Sequence, residues 1–421
     1  MKQSIRPYLY TDMASELYKS AQQNHTSPIF SSGNPLHDSG IDYSERFFGD
    51  IRTEKLVVAS EEASSVLGKS EGTYYTVHTG NLRTLTPEQY AACTDGIRYA
   101  VFDGAAQLCP DLRMHRPSYR TESPLTDAGG YAWEHTAVSP EWDQQGHLYN
   151  APPAAVLGDR HADRVRAEGE PFLSSAHDDR TAVTDIPPSP IPSEQPLRPM
   201  TVLAVGLGNP ALTPDALGPR CTEHLAVTGH LFRADHGDSS DSDVRRILEH
   251  AHRLCAVTPL VVGQTGIETL DLVRGAIDAS HPDLVILIDA LAACETETLT
   301  STVQVSTTGV TPGGGVGNRR QALDRDALGV PVMTVGVPTV ISAKALIYRA
   351  LTGAGVITVT EDGGNPTEDA LLHRALASAD AGYVTPNNID ASVSAYARLL
   401  AQVINELVLG RKLAAQLCAF A

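Results

Sequence analysis

The sequence is poor in basic residues, and it contains no long apolar run. Its 32 lysines and arginines face 50 aspartates and glutamates, which gives a formal net charge of −18. A field of that sign repels nucleic-acid phosphates, so we expect no direct nucleic-acid partner. No stretch reaches the roughly 18 apolar residues of a membrane span, and the N-terminus has no apolar signal segment. We therefore expect a cytoplasmic protein without membrane contact.

Cysteine is also scarce, and its spacing excludes two kinds of small domain. The six cysteines are scattered, and no two of them form a C-x-x-C pair. This pattern is typical neither of a zinc ribbon nor of a disulfide framework. We therefore expect a reducing compartment, no metal ion and no other cofactor.

The 421 residues suffice for one large domain or two smaller ones, and 42% of them are hydrophobic. The organisation of the chain changes near residues 111 and 200. Residues 112–199 hold about half of the 27 prolines and show no sustained helical or strand period. We predict that this segment is a long proline-rich insertion or linker, disordered or only partly ordered.

Residues 13–111 have the pattern of a small α+β portion. Thr53–Ser60 and Tyr74–His78 are rich in strand-forming residues, and Pro87–Leu108 is compatible with a helix. We expect this portion to pack on the following domain as one unit.

After residue 200, strand and helix patterns alternate up to residue 421. The predicted strands begin at Val202, Pro259, Leu284, Thr302 and Pro331, and the predicted helices begin at Ala216, Ile267, Ser342 and Ile389. Such alternation is typical of an α/β fold, with a mostly parallel or mixed sheet and helices on both faces. The last helix, Ile389–Leu409, follows a Thr-Pro start signal at Thr385.

Two of the predicted strands lead into an acid. The run V-L-A-V-G-L from Val202 is followed after a short loop by Asp215, and L-V-I-L-I from Leu284 ends at Asp289. In an open α/β sheet, ligands bind at the carboxyl ends of parallel strands. The sequence therefore predicts a pair of carboxylates, with Asp289 at the tip of its strand.

The surroundings of Asp289 predict an unusual acidity. Five aliphatic residues precede it, and Ala-Leu-Ala-Ala follows. A carboxylate placed there loses hydration, so its pKa rises, and a second carboxylate nearby raises one pKa of the pair further. One protonated and one ionised acid can polarise a peptide carbonyl and deprotonate a water. The pair therefore favours aspartic-type peptide hydrolysis.

The glycines after the first strand allow another interpretation. Gly206–Ala211 fits the looser dinucleotide-binding turn, and Asp235 lies at the distance of a ribose-binding acid. Pro210 and Pro214 disfavour a helix directly behind the second glycine, which a pyrophosphate site needs. The simpler interpretation is a tight turn that brings Asp215 toward the second acid.

A second glycine-rich segment covers Thr311–Arg320. It lacks the Lys-Ser/Thr ending of a phosphate loop. We interpret it as a mobile loop over the cleft, with an ordinary flexible connection as the alternative.

Seven short blocks between Val202 and about Ala345 occur in an order that resembles a known family. They are G-L-G-N at Gly206, T-P-D-A-L-G-P at Thr213, T-G-H-L-F at Thr228, T-G-I-E-T at Thr265, P-D-L-V-I-L-I-D-A-L-A-A at Pro282, G-G-G-V-G-N-R-R at Gly313 and V-G-V-P-T-V at Val335. In these blocks the chain resembles the spore germination protease family, endopeptidases that degrade small acid-soluble spore proteins. The family's tryptophan after G-L-G-N is replaced here by Pro210, and residues 112–199 have no counterpart in its pattern.

The resemblance implies a catalytic dyad of Asp215 and Asp289, with small acid-soluble spore proteins as the substrates. It also implies a homotetramer, synthesis as a zymogen, and location in the forespore or spore core. The implied fold is similar to that of the hydrogenase-maturation proteases and the phosphorylase-like proteins.

Zymogen processing would remove a short N-terminal propeptide. In the family that the chain resembles, cuts fall directly after an acidic residue. Thr or Ser precedes this acid, and an aliphatic residue and then Ala follow it. The segment T-D-M-A at Thr11 fits this rule. We therefore predict cleavage between Asp12 and Met13, with residues 1–12 as the propeptide.

Several further residues are predicted to support the dyad or to bind substrate. They are Asn209 and Thr213 beside the first carboxylate, Thr265 and Glu268 at a strand-to-helix turn, Asn318 and Arg319 at the end of the glycine loop, and Thr339 in the cleft lining Gly336–Thr339. The guanidinium of Arg319 matches the geometry of a carboxylate, so it could bind the acid that precedes the cut.

Two alternatives stay open at the level of sequence. The spacing of Gly206, Gly208, Asn209, Asp215 and Gly218 also resembles the hydrogenase-maturation endopeptidases, in which two acids and a histidine bind nickel. No histidine lies between residues 282 and 345, where the third ligand is expected. The second alternative is a latent, non-enzymatic interaction protein whose proline-rich segment binds partners in extended form.

Overall fold

The computed structural model describes residues 11–24, 40–110, 200–232, 252–313, 320–356 and 382–418, together with the backbone of 141–142 and 148–149 and a few residues between 372 and 379. These residues belong to one compact unit. Most of the predicted insertion, residues 1–10 of the predicted propeptide, and the predicted site residues Asn318 and Arg319 lie outside the described residues.

Nine strands of the described chain form one mixed sheet. They are β1 (Ile41–Phe48), β2 (Ile51–Val58), β3 (Gly72–His78), β6 (Thr201–Gly206), β7 (Arg253–Val257), β8 (Leu284–Ala293), β9 (Thr302–Ser306), β10 (Val332–Ser342) and β11 (Tyr383–Val384). Their order is β1-β2-β3-β9-β10-β8-β6-β7, and β11 pairs with β10. A separate two-stranded sheet joins β4 (Glu141–Trp142) to β5 (Leu148–Tyr149).

Ten helices and three short 3₁₀ turns accompany the strands in the described residues. The helices are α1 (Ala14–Asn24), α2 (Glu61–Leu67), α3 (Pro87–Leu108), α4 (Leu217–Glu223), α5 (Val262–Thr265), α6 (Thr269–Ser280), α7 (Arg325–Leu328), α8 (Ala343–Gly353), α9 (Ile389–Leu409) and α10 (Arg411–Cys418). The turns are Leu82–Thr84, Thr213–Asp215 and Gly229–Phe232. None of the helices in this part of the chain is long and apolar enough to cross a bilayer.

The sheet has a parallel half and an antiparallel half. Strands β10, β8, β6 and β7 are parallel neighbours. Strand β9 runs antiparallel to both β10 and β3, and β1 to β3 form an antiparallel meander. The predicted mixed α/β architecture is therefore confirmed, whereas the likeness to hydrogenase-maturation proteases stays a prediction.

Strand alternation divides the core between the two faces of the sheet. In β6, Val202 and Ala204 pack with α3, α4 and α9, whereas Leu203 and Val205 pack with α6. Further along the sheet, Tyr74 packs with α1 and α2 on the same side as α6. Helices therefore cover both faces, as the sequence predicted.

The two long helices begin and end where the sequence predicted. Helix α3 starts with a capping box, in which Thr86 Oγ1 accepts from Gln89 N and Gln89 Oε1 accepts from Thr86 N. Helix α9 is buried along most of its length rather than only on one face. A buried ion pair of 2.7 Å between Arg98 Nε and Glu406 Oε2 joins the two helices.

Two details of the predicted strands are wrong. The strand expected at Pro259 lies earlier, at Arg253–Val257, because Leu260 has a left-handed φ of 61° and α5 follows at once. Asp289 is not at the tip of its strand, since β8 continues to Ala293. The extension is possible because β10 pairs with β8 as far as Ile341 and Ala293.

Asp283 joins the end of α3 to the start of β6. Its Oδ2 accepts a hydrogen bond of 2.9 Å from Thr201 N, and its carbonyl oxygen accepts a weaker one of 3.6 Å from Cys109 Sγ. The end of α3 and the start of β6 therefore lie side by side at the first residue before β8.

Candidate active site

The loop after β6 folds back on its own strand end and carries Asp215. Leu207 N extends the β6 ladder with a bond of 2.9 Å to Ile288 O. Gly208 then has a φ of +115°, and a Cβ added there would lie 2.0 Å from Asp215 O. Only glycine permits this close approach. The turn Thr213–Asp215 is thereby held against the end of β6, the strand next to β8.

The carboxylate of Asp215 is partly buried and accepts a backbone hydrogen bond. Asn209 N donates to its Oδ2 at 2.8 Å. Burial raises the pKa of Asp215 from 3.8 to about 6, although the N–H of Asn209 acts in the opposite direction. This carboxyl therefore loses its proton close to neutral pH.

Asp289 lies inside β8, where it pairs with Gly336 of β10, and it is only 6% exposed. Burial is the main cause that holds the pKa of Asp289 well above its usual range, and the charges of Asp215 and Asp12 add to it. The N–H of Ala290 donates to Asp289 Oδ1 at 2.9 Å and offsets a part of this effect. The deep burial of Asp289 and the nearby charge of Asp215 both favour the protonated form of Asp289.

Asp215 and Asp289 are close enough for the charge of one to raise the pKa of the other, and their surroundings differ. Asp215 is the more solvated carboxyl, and Asp289 is the more deeply buried one. Environments that separate the pKa values of two carboxyls let one donate a proton while the other accepts one. The arrangement can activate a water and protonate a leaving group near neutral pH.

The loop residues predicted to assist Asp215 take different positions. Asn209 contacts the carboxylate through its main chain, while its side-chain Oδ1 accepts from Ala211 N at 3.0 Å and from Gln264 Nε2 at 2.9 Å. The hydroxyl of Thr213 donates to Asp390 Oδ1 at 3.0 Å rather than to Asp215, because its turn packs against the first turn of α9. The link from Gln264 to Asn209 had no signal in the sequence.

Thr265, Glu268 and Thr339, the other residues predicted to support the dyad, make contacts of their own in the described structure. Thr265 Oγ1 accepts from Ile267 N at 3.2 Å and so closes its own turn. Glu268 forms an exposed ion pair of 3.3 Å with Arg320. Thr339 is buried in β10, and its carbonyl oxygen accepts from Thr385 Oγ1 at 2.8 Å.

The N-terminal segment Thr11–Ala14 is bound along the end of β8. Asp12 N donates to Ala292 O at 2.9 Å, and Ala292 N donates to Asp12 Oδ2 at 2.9 Å. Met13 is fully buried. The predicted processing site, between Asp12 and Met13, therefore lies three residues beyond Asp289 along the neighbouring strand.

Glu16, in the first turn of α1, anchors this segment. Its carboxylate accepts from Cys294 N at 2.9 Å, from Glu295 N at 3.2 Å and from the hydroxyls of Thr298 and Thr11. A buried carboxylate with several donors fixes its own helix firmly, because charge-assisted bonds are the stronger kind. Glu16 was not among the residues predicted to support the site.

Lys69 and Gln304 also contact the N-terminal segment, and neither was predicted. Lys69 Nζ donates to Asp12 O at 2.8 Å, and Gln304 Nε2 donates to the same oxygen at 2.9 Å. Gln304 alternates with apolar valines in β9, a pattern that indicates only a half-buried strand. Lys69 follows the C-cap of α2 and has no local motif.

No group of three or more His, Cys, Asp or Glu side chains that could hold a metal ion is present within the described ranges. The sequence has no histidine between residues 282 and 345, where the third ligand of a nickel site is expected.

The raised pKa of Asp215 predicts a pH-dependent gain in stability for Asp215→Asn. A carboxyl whose pKa is higher in the folded state than in the unfolded state stabilises the fold least above the folded pKa, because ionisation then costs burial energy. Stability contributed by this group is lost as pH rises from about 4 through about 6. The gain of Asp215→Asn in unfolding free energy at pH 8 should exceed the gain at pH 4.5 by about 2 kcal/mol.

Urea unfolding at the two pH values measures this difference. The matched control is Asp278→Asn, which changes an exposed carboxylate on α6. Its unfolding free energy should change between pH 4.5 and pH 8 by the same amount as that of the unaltered chain. A gain for Asp215→Asn that does not change with pH would contradict the assigned burial of Asp215.

Comparison with known proteins identifies what this chain resembles. Residues 196–353 match the model of a family described as germination protease. The chain is 37% identical over 223 residues to the germination protease of Clostridium acetobutylicum, a match that covers 49% of this chain and 64% of the relative. It is 50% identical over 144 residues to that of Bacillus subtilis, covering 34% and 37%. For Clostridium perfringens the identity is 39% over 193 residues, covering 45% and 52%.

The resemblance predicted from the seven blocks is thereby confirmed. The matched family segment contains both Asp215 and Asp289. The chain spans between 37% and 64% of the length of these three curated relatives.

Proposed function

We propose, from the match of residues 196–353 to the germination protease family, that this chain is an endopeptidase of spore germination. Its substrates are small acid-soluble spore proteins, and it works in the forespore or spore core. The observation that carries the proposal is the pair of carboxyls, Asp215 and Asp289, which differ in burial and lie near a bound peptide segment.

Asp215 and Asp289 divide the chemistry of peptide hydrolysis. The ionised carboxylate of Asp215 takes a proton from a water molecule, whose oxygen attacks the peptide carbonyl carbon. The protonated carboxyl of Asp289 gives its proton to the leaving nitrogen as the carbon–nitrogen bond breaks. Unequal burial supports this assignment, because the deeper carboxyl holds its proton more tightly.

The bound segment Thr11–Ala14 supports synthesis as a self-processed zymogen. Thr-Asp-Met-Ala has the residue types of a cleavage site, and it runs along β8 with a main-chain bond to Ala292. Strand addition of this kind is a common way to bind an extended peptide. Residues 1–12 are then the propeptide, and the segment blocks the site until the bond between Asp12 and Met13 is cut.

Recognition of the acid before the cut is assigned to the main chain of β8. Ala292 N donates to Asp12 Oδ2 at 2.9 Å, so a carboxylate at this position accepts a hydrogen bond from the main chain of β8. Arg319, the residue expected to hold this acid, remains a second candidate for the same contact. A homotetrameric assembly is proposed from the family resemblance alone.

The activity is tested by incubating the purified full chain with a small acid-soluble spore protein and mapping the fragments by mass spectrometry. We expect cuts after an acid that follows Thr or Ser and precedes an aliphatic residue and Ala. A substrate in which that acid is replaced by its amide serves as the matched control and should be cut at least about 10-fold more slowly, because it loses one charge-assisted bond. Intact substrate after prolonged incubation, or equal cutting of both forms, would refute the proposal.

A further inference from the structure

The carbonyl oxygen of Asp12 is held by two side-chain donors. Lys69 Nζ lies 2.8 Å away, and Gln304 Nε2 lies 2.9 Å away. The two side chains come from different parts of the fold, the loop after α2 and the strand β9. This oxygen belongs to the peptide bond between Asp12 and Met13.

Gln304 also fixes the segment on the other side of Met13. Its Oε1 accepts from Ala14 N at 2.7 Å, while its Nε2 donates to Asp12 O. One amide side chain therefore contacts the main chain on both sides of Met13. Because both bonds are made, the orientation of the amide is determined, and a donor faces the carbonyl.

The strand register places Gln304 and Asp289 in one row across the sheet. Gly336 of β10 pairs with Gln304 of β9 on one side and with Asp289 of β8 on the other. Neighbouring strands are about 4.8 Å apart, so the two residues start roughly 10 Å from each other with no side chain between them. Gln304 holds the segment from the β9 side of the sheet, and Ala292, three residues beyond Asp289, holds it from β8.

Gln304 and Asp289 also lie on the same face of the sheet. Val303 and Val305 pack in the core on the α9 side, so Gln304 lies on the opposite face. Asp289 follows Val285 and Leu287, which pack on that same opposite face. Gln304 therefore reaches the carbonyl of Asp12 from the face that carries the buried carboxyl, and the charge of Asp12 acts on Asp289.

We infer that Lys69 and Gln304 form the oxyanion hole of this peptidase, first for the bond between Asp12 and Met13 and then for the equivalent bond of a protein substrate. The inference rests on the proposed function. As water oxygen bonds to the carbonyl carbon of Asp12, the carbonyl oxygen becomes negative, and both donors stabilise it. When the bond to Met13 N breaks, the oxygen returns to a carboxyl group, Asp215 holds the water proton, and Asp289 has protonated the leaving amine.

The surroundings of Lys69 suit this task. Burial lowers the pKa of Lys69, while the carboxylates of Asp12 and Glu16 act to raise it. An ammonium that is partly removed from water interacts more strongly with a developing negative charge than an exposed one does. The ammonium is already placed on the oxygen before reaction, so little reorganisation is needed.

If Lys69 and Gln304 had a purely structural role, their removal would have a different effect. Donors that only tie down the segment would change the stability of the fold but not the rate of the chemical step once the segment is bound. Donors that stabilise the oxyanion change that rate directly. Removal of one such donor typically lowers the rate by about 10²–10³-fold.

The test measures the first-order rate of self-cleavage between Asp12 and Met13 in the full chain, by mass spectrometry over time. The variants are Lys69→Met, Lys69→Ala and Gln304→Leu, with Lys412→Met as the matched control on an exposed lysine of α10. We expect the first three to process about 10²–10³-fold more slowly, and Lys412→Met to process at the normal rate. Added propylammonium should restore at least about 10-fold of the rate to Lys69→Ala, because it replaces the missing ammonium.

Each result decides the matter. Processing of Lys69→Met and Gln304→Leu within about 3-fold of the unaltered chain would overturn the inference while leaving the peptidase proposal intact. A slow Lys69→Ala that is not rescued by the amine, and that unfolds at a lower temperature, would assign Lys69 a structural role and also overturn it. Failure of the unaltered chain to cut either itself or a spore protein would instead refute the proposed function.

Discussion

Asp289→Asn is expected to abolish peptide cleavage, with a loss of at least about 10³-fold in kcat. The asparagine amide cannot transfer a proton to a leaving nitrogen, although it occupies the same space beside Ala290. Asp215→Asn should cause a loss of similar size, because the water then has no base. The two substitutions act on one concerted unit, so the double variant should be little worse than either single one.

Steady-state cleavage of a small acid-soluble spore protein measures both losses. Asp278→Asn changes an exposed carboxylate in the same way and should retain full activity. Circular dichroism and urea unfolding show whether each variant is folded, and the Asp215 variant should be at least as stable as the unaltered chain at pH 8. A folded Asp289→Asn that retains more than about a tenth of the activity would exclude the dyad.

Gly218→Ala is expected to destabilise the fold by about 3 kcal/mol or more. Gly218 lies in the first turn of α4, where main chain packs directly on main chain. A Cβ added there would lie 2.3 Å from Leu207 O and 2.5 Å from Ile288 O. Both contacts are with backbone, so no flexible side chain can move aside. Helix α4 would have to shift, and the turn that carries Asp215 would move with it.

Urea unfolding and the yield of soluble protein measure this effect. Gly275→Ala is the matched control, because Gly275 lies inside α6 with no neighbouring atom within 4 Å of the added Cβ. It should stabilise the chain by about 0.5–1 kcal/mol, since alanine favours a helix more than glycine does. Equal stability of the two variants would contradict the close packing of α4 on the strand ends.

The regular elements were predictable where the local pattern and the tertiary environment agree. Helix α3 has a cap, a proline at its start and a helical period, and both of its ends were predicted. The strand near Pro259 was misplaced because P-L-V-V-G has the composition of a buried strand, whereas the backbone at Leu260 turns into α5. Composition over five residues cannot reveal a single left-handed residue.

The candidate site was predictable only in part. Apolar runs lead to both Asp215 and Asp289, so their proximity in a parallel sheet could be inferred, although Asp289 lies inside β8 and not at its end. Lys69 and Gln304 come from the antiparallel half, and only the pairing of β9 with β10 brings them to the same place. Long-range strand pairing leaves no mark in the local sequence. Thr213 was expected at the carboxylate, but the first turn of α9, far away in sequence, supplies its partner.

The two hydrogen bonds of Asp283 have a consequence for how this chain can change in length. Because Cys109 and Thr201 both contact Asp283, the end of α3 and the start of β6 lie at one point of the sheet. Closing a flexible loop costs only about 0.6 kcal/mol more for each doubling of its length. Residues can therefore be gained or lost between the two contacts without stretching the sheet or moving Asp215 and Asp289. Chains that differ greatly in length between these two residues can therefore share the same sheet.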